Sequence, residues 1–138
     1  MKRVVDVLVV GGGPAGLSAA TELSGYNCSV LLIESMPTIG RKFLMAGKSG
    51  LNITTAKDDF LAQYGESEKW ITPIIKNFGP DQIIAFCQLL GQEVFEGSSG
   101  KIFPKSMKTS PLLRSWLSSL KRAGVEIQTS SRWIDFYV

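Results

Sequence analysis

Val4-Val5-Asp6-Val7-Leu8-Val9-Val10-Gly11-Gly12-Gly13-Pro14-Ala15-Gly16 decides the fold. Apart from Asp6, residues 4–10 are β-branched or leucine, a run suited to a strand buried on both faces of a parallel sheet. Gly11-Gly12-Gly13 breaks the run, and Pro14 fits a first helical turn. Gly16, Ala19, Ala20 and Leu23 follow helical spacing. They are small enough to let the helix lie close to a sheet. Gly25 supplies a stop. Ser29 to Ile33 is a second strand, with Glu34 at its end. The result is a βαβ unit over 4–34, and the fold class is α/β, Rossmann-like.

Gly11-x-Gly13-x-x-Gly16 is a dinucleotide fingerprint in which each glycine has its own task. Gly11 turns the chain out of the strand, Gly13 lets backbone approach a pyrophosphate, and Gly16 lets helix pack on sheet. Pro14 and Ala15 complete the cradle at the helix start, where free N–H groups and a partial positive charge favour phosphate. Glu34 lies near the roughly 20-residue spacing expected of a ribose-binding carboxylate. The alternatives are a tight turn that binds nothing and a solvated strand-end acid. A glutamate at that position disfavours a 2′-phosphate, and hence NADP.

FAD is favoured over NAD because no third strand follows. Instead a long ordered loop runs over 35–55, with a short helical piece near Arg41 to Met45, and loops of that length tend to be functional. Arg41 and Lys42 are placed to neutralise pyrophosphate charge. The Gly47 to Asn52 backbone either lies against a flavin ring or is a surface loop with glycine turns. Gly47-Lys48-Ser49 imitates the end of a P-loop, but Lys42 stands where that motif needs glycine.

Further on, Phe60 to Ile75 reads as partly helical, interrupted at Pro73. Pro80 opens a helix with Ile83, Phe86, Cys87 and Leu90 on its buried stripe and Gly91 at its end. Glu93 to Pro104 is a hairpin turning at Gly97-Ser98-Ser99-Gly100. Ser110-Pro111 starts a helix with the stripe Leu113, Trp116, Leu117 and Leu120, closed by Lys121, Arg122 and Gly124. Val125 to Thr129 is a return strand, and Trp133 to Val138 another. Trp133 is read as core packing, with contact to an adenine as the alternative.

Composition narrows the chemistry. The 138 residues are 44% hydrophobic and 20% charged, with net charge +3, two cysteines and no histidine. That is ordinary for a soluble globular chain. Without histidine, the usual zinc sites and Ser-His or Cys-His nucleophiles are excluded. No metal is expected, and the catalytic residues are unknown. Lys48 is the one loop candidate for a proton-transfer group, with a surface lysine as the plainer account. Lys101, Lys105 and Lys108 read as a solvated face, so no nucleic-acid partner is expected. Cys28 and Cys87 read as small buried hydrophobes in a reducing compartment. Met1-Lys2-Arg3 and the valines after it are too short a stretch for a signal peptide, and no segment is long enough to span a bilayer. The expectation is a cytoplasmic protein with no membrane contact.

Val10-Gly11-Gly12-Gly13-Pro14-Ala15-Gly16 with Glu34 resembles the glutathione-reductase-type FAD proteins. More narrowly, Gly40-Arg41-Lys42-Phe43-Leu44-Met45-Ala46-Gly47-Lys48-Ser49-Gly50-Leu51-Asn52-Ile53-Thr54 resembles the signature of the BaiN-like (aminoacetone oxidase-like) NAD(P)/FAD-dependent oxidoreductases. Residues 97–105 and 107–114 match that family too. Many members carry Arg-Cys-Asn where Gly50-Leu51-Asn52 stands here, so any role of that arginine or cysteine does not transfer. The resemblance implies FAD, with NAD(P)H as an electron donor in full-length members. It also implies an inserted substrate domain and a C-terminal return to the FAD domain, neither of which is recognisable in this sequence.

The chain is therefore expected to be the truncated N-terminal part, over 1–138, of an FAD-binding domain. Its parts are the βαβ unit at 4–34, the FAD loop at 35–55, and helices, hairpin and return strand at 56–138. The substrate domain is absent. The cofactor-binding candidates are Gly11, Gly13, Pro14, Ala15, Gly16, Glu34, Arg41, Lys42, Gly47 and Asn52. The expected function is that region's part in a flavin-dependent oxidoreductase, with hydride transfer through flavin N5 and a small-molecule substrate not named by the sequence. The rivals are an inactive remnant, a split subunit needing a chain that supplies the missing part, and a stand-alone NAD-binding module.

Overall fold

The computed structural model describes residues 4–136. It contains β1 (Val7–Val10), α1 (Pro14–Leu23), β2 (Val30–Ile33), α2 (Arg41–Ala46), β3 (Thr54–Thr55), a 3-10 stretch (Asp58–Ser67), α3 (Glu68–Asn77), α4 (Pro80–Leu89), β4 (Val94–Glu96), β5 (Lys101–Pro104), α5 (Thr109–Arg122) and β6 (Glu126–Gln128). These form two compact units. Unit 1 runs to Met45 and resumes at Leu113, and unit 2 is Ala46–Leu112.

Unit 1 is built on a parallel sheet of order β1-β2-β6. Val7 to Val10 pair with Val30 to Ile33, and Leu31 to Ile33 pair with Glu126 to Gln128. The βαβ unit and the return strand therefore form as the sequence predicts. In β2, Val30, Leu31 and Leu32 are buried on both faces, each side chain stabilising by about 1.5–3 kcal/mol.

The expectation that β1 is buried on both faces is corrected. Its residues alternate half-buried and exposed. Val9 turns toward Gly16 of α1, whereas Leu8 is 43% and Val10 58% exposed. The reason is position: among the described residues β1 is the edge of this sheet, with β2 as its one neighbour. Asp6 interrupts the valines because it ties the two strands together. Its carboxylate accepts from the Ser29 amide and hydroxyl, both at 2.7 Å, and its own amide donates to Ser29 Oγ. Those bonds hold its carboxyl below the ordinary range, the Ser29 hydroxyl foremost.

The stripe of α1 is also shifted. Leu17 and Ala20 are its buried residues, and Ala19 faces out. The Thr21 hydroxyl donates to the Leu17 carbonyl and accepts the buried Trp116 indole N–H at 2.7 Å, which docks α5 on α1. Leu113, Trp116 and Leu120 form the core face of α5, as expected. Trp133 to Val138 is not a strand over its described part. Trp133 lies edge-on to Phe136 with both rings exposed, so the core-packing reading of Trp133 fails. Residues 137–138, like Met1-Lys2-Arg3, lie outside the described residues.

Unit 2 holds an antiparallel sheet of order β3-β5-β4. The hairpin is as predicted. Phe95 pairs with Phe103 and their rings stack at 5.9 Å, while Gly97 and Lys101 close the turn. Glu93 and Lys105 form a surface ion pair that lowers the Glu93 pKa. The short strand β3, paired to β5, had no periodic signal because it has only two residues. Pro73 does not interrupt its helix. It sits inside α3, which begins at Glu68 and runs to Asn77. A single proline removes one intrahelical N–H. The break falls earlier, at Gly65, where φ is +54°. In α4, Cys87 is buried and Gln82 accepts the Gly79 amide at 2.9 Å to cap the helix start. Both cysteines are free thiols, and Cys28 is half-buried rather than buried. Among the described residues no helix is long and apolar enough to cross a membrane, and no acid or thiol cluster could hold a metal.

Candidate functional site

The glycine turn is held from three sides within unit 1. The Gly11 amide donates to the Ile33 carbonyl at 2.8 Å, and φ of +105° at Gly11 excludes ordinary side chains there. A Cβ on Gly16 would fall on the Gly11 carbonyl oxygen, so α1 touches the turn directly. The Gly12 carbonyl accepts the Gly40 amide at 2.9 Å, which ties the start of the long loop to the fingerprint.

Gly13 is different. A Cβ built on it meets nothing within 4 Å. It is the N-cap of α1, and the first-turn amides behind it have no acceptor within the helix. Pro14 occupies the first turn, where its missing N–H costs nothing.

Glu34 sits at the end of β2. Its Oε2 accepts the Gly12 amide at 2.8 Å, and its Oε1 accepts the Met36 amide at 2.8 Å and the Ser35 hydroxyl. The Met36 bond first, then the Gly12 bond, hold its carboxyl below the ordinary glutamate range, so it is ionised at neutral pH. The sequence reading gave Glu34 a ribose and missed this internal duty. It also missed Gly12, the middle glycine. A Cβ there would come within 2.5 Å of Ile39 Cδ1 and 3.3 Å of the Glu34 carboxylate. Three consecutive glycines were the available signal.

These groups converge on one cavity of about 430 Å³. Gly12, Gly13, Pro14, Glu34, Arg41 and Lys42 line it, together with Met36, Thr38, Gly40 and Met45. Of the ten expected cofactor residues, five line this cavity and five do not. Gly13, Pro14, Glu34, Arg41 and Lys42 line this space, whereas Gly11 and Gly16 shape the turn without lining it and Ala15 is exposed outside it. Gly47 and Asn52 belong to unit 2. Exposed backbone at a helix start, an open glycine and two cations are the features a diphosphate needs. A carboxylate at the rim suits sugar hydroxyls.

In unit 2, Gly47 is buried against Thr109, whose hydroxyl lies where a Gly47 Cβ would go. The Leu51 amide donates to the Met107 carbonyl, and Met107 holds φ of +56°. Residues 105–109 thus strap the Gly47–Asn52 segment. Lys48 is exposed, as a surface lysine is.

The HI0933-like protein Rossmann domain model matches residues 5–138. The chain belongs to that family. It is similar to the 3-dehydro-bile acid delta(4,6)-reductase of Clostridium scindens, 30% identical over 127 residues, which cover 90% of this chain and 31% of that protein. It is also similar to the digeranylgeranylglycerophospholipid reductase of Methanosphaerula palustris, 29% identical, covering 97% of this chain and 31% of that protein. Among solved structures, THI4 of Thermovibrio ammonificans superposes with a TM-score of 0.55 at 20% identity, covering 91% of this chain and 38% of that one. That likeness concerns the fold. This HI0933-like chain spans about a third of the length of the curated relatives it matches. The FAD-binding oxidoreductase family expected from the sequence is the one found.

Proposed function

We propose that this HI0933-like domain binds FAD as the cofactor region of a flavin-dependent oxidoreductase. In this reading the pyrophosphate lies on the amides of Gly13, Ala15 and Gly16, beside Pro14, with Arg41 and Lys42 supplying positive charge. Glu34 accepts from the ribose hydroxyls while its backbone bonds keep it ionised. Gly11 holds the turn. Gly47 to Asn52 presents backbone to the flavin. Bound there, FAD would supply a two-electron carrier able to take and give hydride at N5, with NAD(P)H as electron donor. The single observation that carries the reading is the open space at Gly13 beside a helix start and an ionised Glu34.

The exposed outer face of β1 supports a further segment in the working enzyme. Leu8 and Val10 leave an apolar strip beside a strand edge that is unpaired among the described residues, which favours a polypeptide that completes the sheet. We place the enzyme in a reducing compartment, the cytoplasm, consistent with its two free thiols. The test is a visible spectrum of the purified chain after incubation with FAD and dialysis. A retained flavin band with a raised melting temperature, absent with NAD, supports the reading. A colourless protein stabilised by NAD instead contradicts it.

A further inference from the structure

Arg41 and Lys42 reach the unit 1 cavity from α2, and α2 has little of its own to hold it there. It has six residues, none of them buried. So short a helix does not persist in water by itself, because nucleation is unfavourable and few propagating bonds follow it. Among the described residues neither cation has a carboxylate partner that would fix it. The direction of both side chains is therefore set by whatever fixes the helix that carries them.

Two contacts do so, and both come from α5, far along the chain. At Gly40, just before α2, a Cβ would fall 2.8 Å from Leu113 Cδ2 and 3.1 Å from Leu113 Cδ1. The buried Leu113 side chain is thus seated directly on the Gly40 backbone. That backbone donates its amide to the Gly12 carbonyl and accepts the Leu44 amide at 2.8 Å, which closes the first turn of α2. At Phe43 the ring meets the Trp116 indole edge-on, with centroids 6.3 Å apart. Trp116 is itself anchored, since its indole N–H donates to the Thr21 hydroxyl of α1. Leu113 and Trp116 stand at i and i+3 and share one face of α5. Gly40 and Phe43 have the same spacing, and the two cations lie between them. All of these residues belong to unit 1.

We propose that Leu113 and Trp116 are positioning residues for diphosphate binding: by gripping Gly40 and Phe43 they aim Arg41 and Lys42 into the cavity. That the diphosphate is FAD's rests on the proposed function, whereas the grip acts on any diphosphate held there. A packing role alone has a different signature. Leu113 and Trp116 would then stabilise unit 1 and leave the cations' part in binding untouched. Attraction between charges falls with distance and with screening, so a cation released to water contributes much less than one held against phosphate.

The experiment titrates ADP and FAD separately into the 138-residue chain at low and at moderate salt, by calorimetry and by flavin fluorescence. Arg41→Gln with Lys42→Gln defines what the cations supply, as weaker binding with a flatter salt dependence. Leu113→Ala and Phe43→Ala keep both cations, yet each should weaken ADP binding by at least about fivefold and flatten its salt dependence in the same way. Leu113→Met, close in volume, and Phe43→Tyr, which keeps the ring, should restore both. Adding the two cation substitutions to Phe43→Ala should weaken binding little further. Phe43 is half-buried, so its variant carries the test if Leu113→Ala does not fold. Unchanged ADP affinity in folded Phe43→Ala overturns the proposal. So do losses that keep the parent's salt dependence and add to those of the cation variant, and so does a parent that binds no ADP. ADP binding with the expected pattern but without FAD binding leaves the positioning role standing and counts against the proposed function alone.

Discussion

Each oxygen of the Glu34 carboxylate accepts a backbone amide before any ligand arrives, one from Gly12 and one from Met36. Oε1 also accepts the Ser35 hydroxyl, whereas Oε2 has lone-pair capacity for a second donor, so the clamp and a ribose contact at Oε2 are compatible. Spacing alone could reveal the acid, because a strand-end carboxylate after a glycine turn is a sequence pattern. The clamp was not legible, because it depends on where the middle glycine's amide points. The same limit applies to Gly47. Its identity suggested a turn, whereas its use is to make room for the Thr109 side chain. Gly47→Ala is expected to destabilise the chain by about 1–3 kcal/mol through overpacking. Thr109→Ala in the same chain should recover part of that loss in a double-mutant cycle. Additive effects would show that the two positions do not press on each other.

Among the elements, β2, the hairpin, α4 and α5 were readable because periodicity and turn chemistry agree in each. β1 was misread for a reason of position. A continuous valine run encodes a strand meant for cover on both sides, and the sequence does not say whether that cover belongs to the chain in hand. Val10 is 58% exposed on the uncovered face, so Val10→Lys costs little there. The variant should bind less anilinonaphthalene sulfonate and aggregate less than the parent, with its melting temperature nearly unchanged. A large fall in melting temperature would mean that this face is packed. Pro73 was misread by the opposite error, since α3 loses one hydrogen bond there and keeps the rest of its helix.

For the whole molecule, the acid response follows from three carboxylates. Glu34 is held below its ordinary pKa first by the Met36 amide, Asp6 by the Ser29 hydroxyl, and Glu93 by Lys105. A group with a lowered folded-state pKa contributes its stability above the unfolded value and loses it as pH falls through the folded one. Stability of the FAD-free chain should therefore be flat from neutrality down to the ordinary carboxylate range and drop below it, as melting temperatures across that range will show. A steady rise in stability on acidification would contradict these bonds. Family membership and the cofactor were legible because the fingerprint and the Gly40–Thr54 segment are local in sequence. The cavities of unit 2 were not, since their walls come from three separated stretches, residues 52–64, 75–83 and 99–101.

The central claim is that open backbone at Gly13, flanked by Glu34 and two cations, is the place where the FAD diphosphate binds. Gly13→Leu tests it most directly, because the new side chain meets no protein atom at its Cβ yet enters the cradle. Titration of FAD into the parent and the variant, read by flavin fluorescence, should give saturable binding in the parent and a loss of at least about a hundredfold in the variant, with the FAD-free melting temperatures alike. Equal FAD affinity in the two folded proteins would contradict the account.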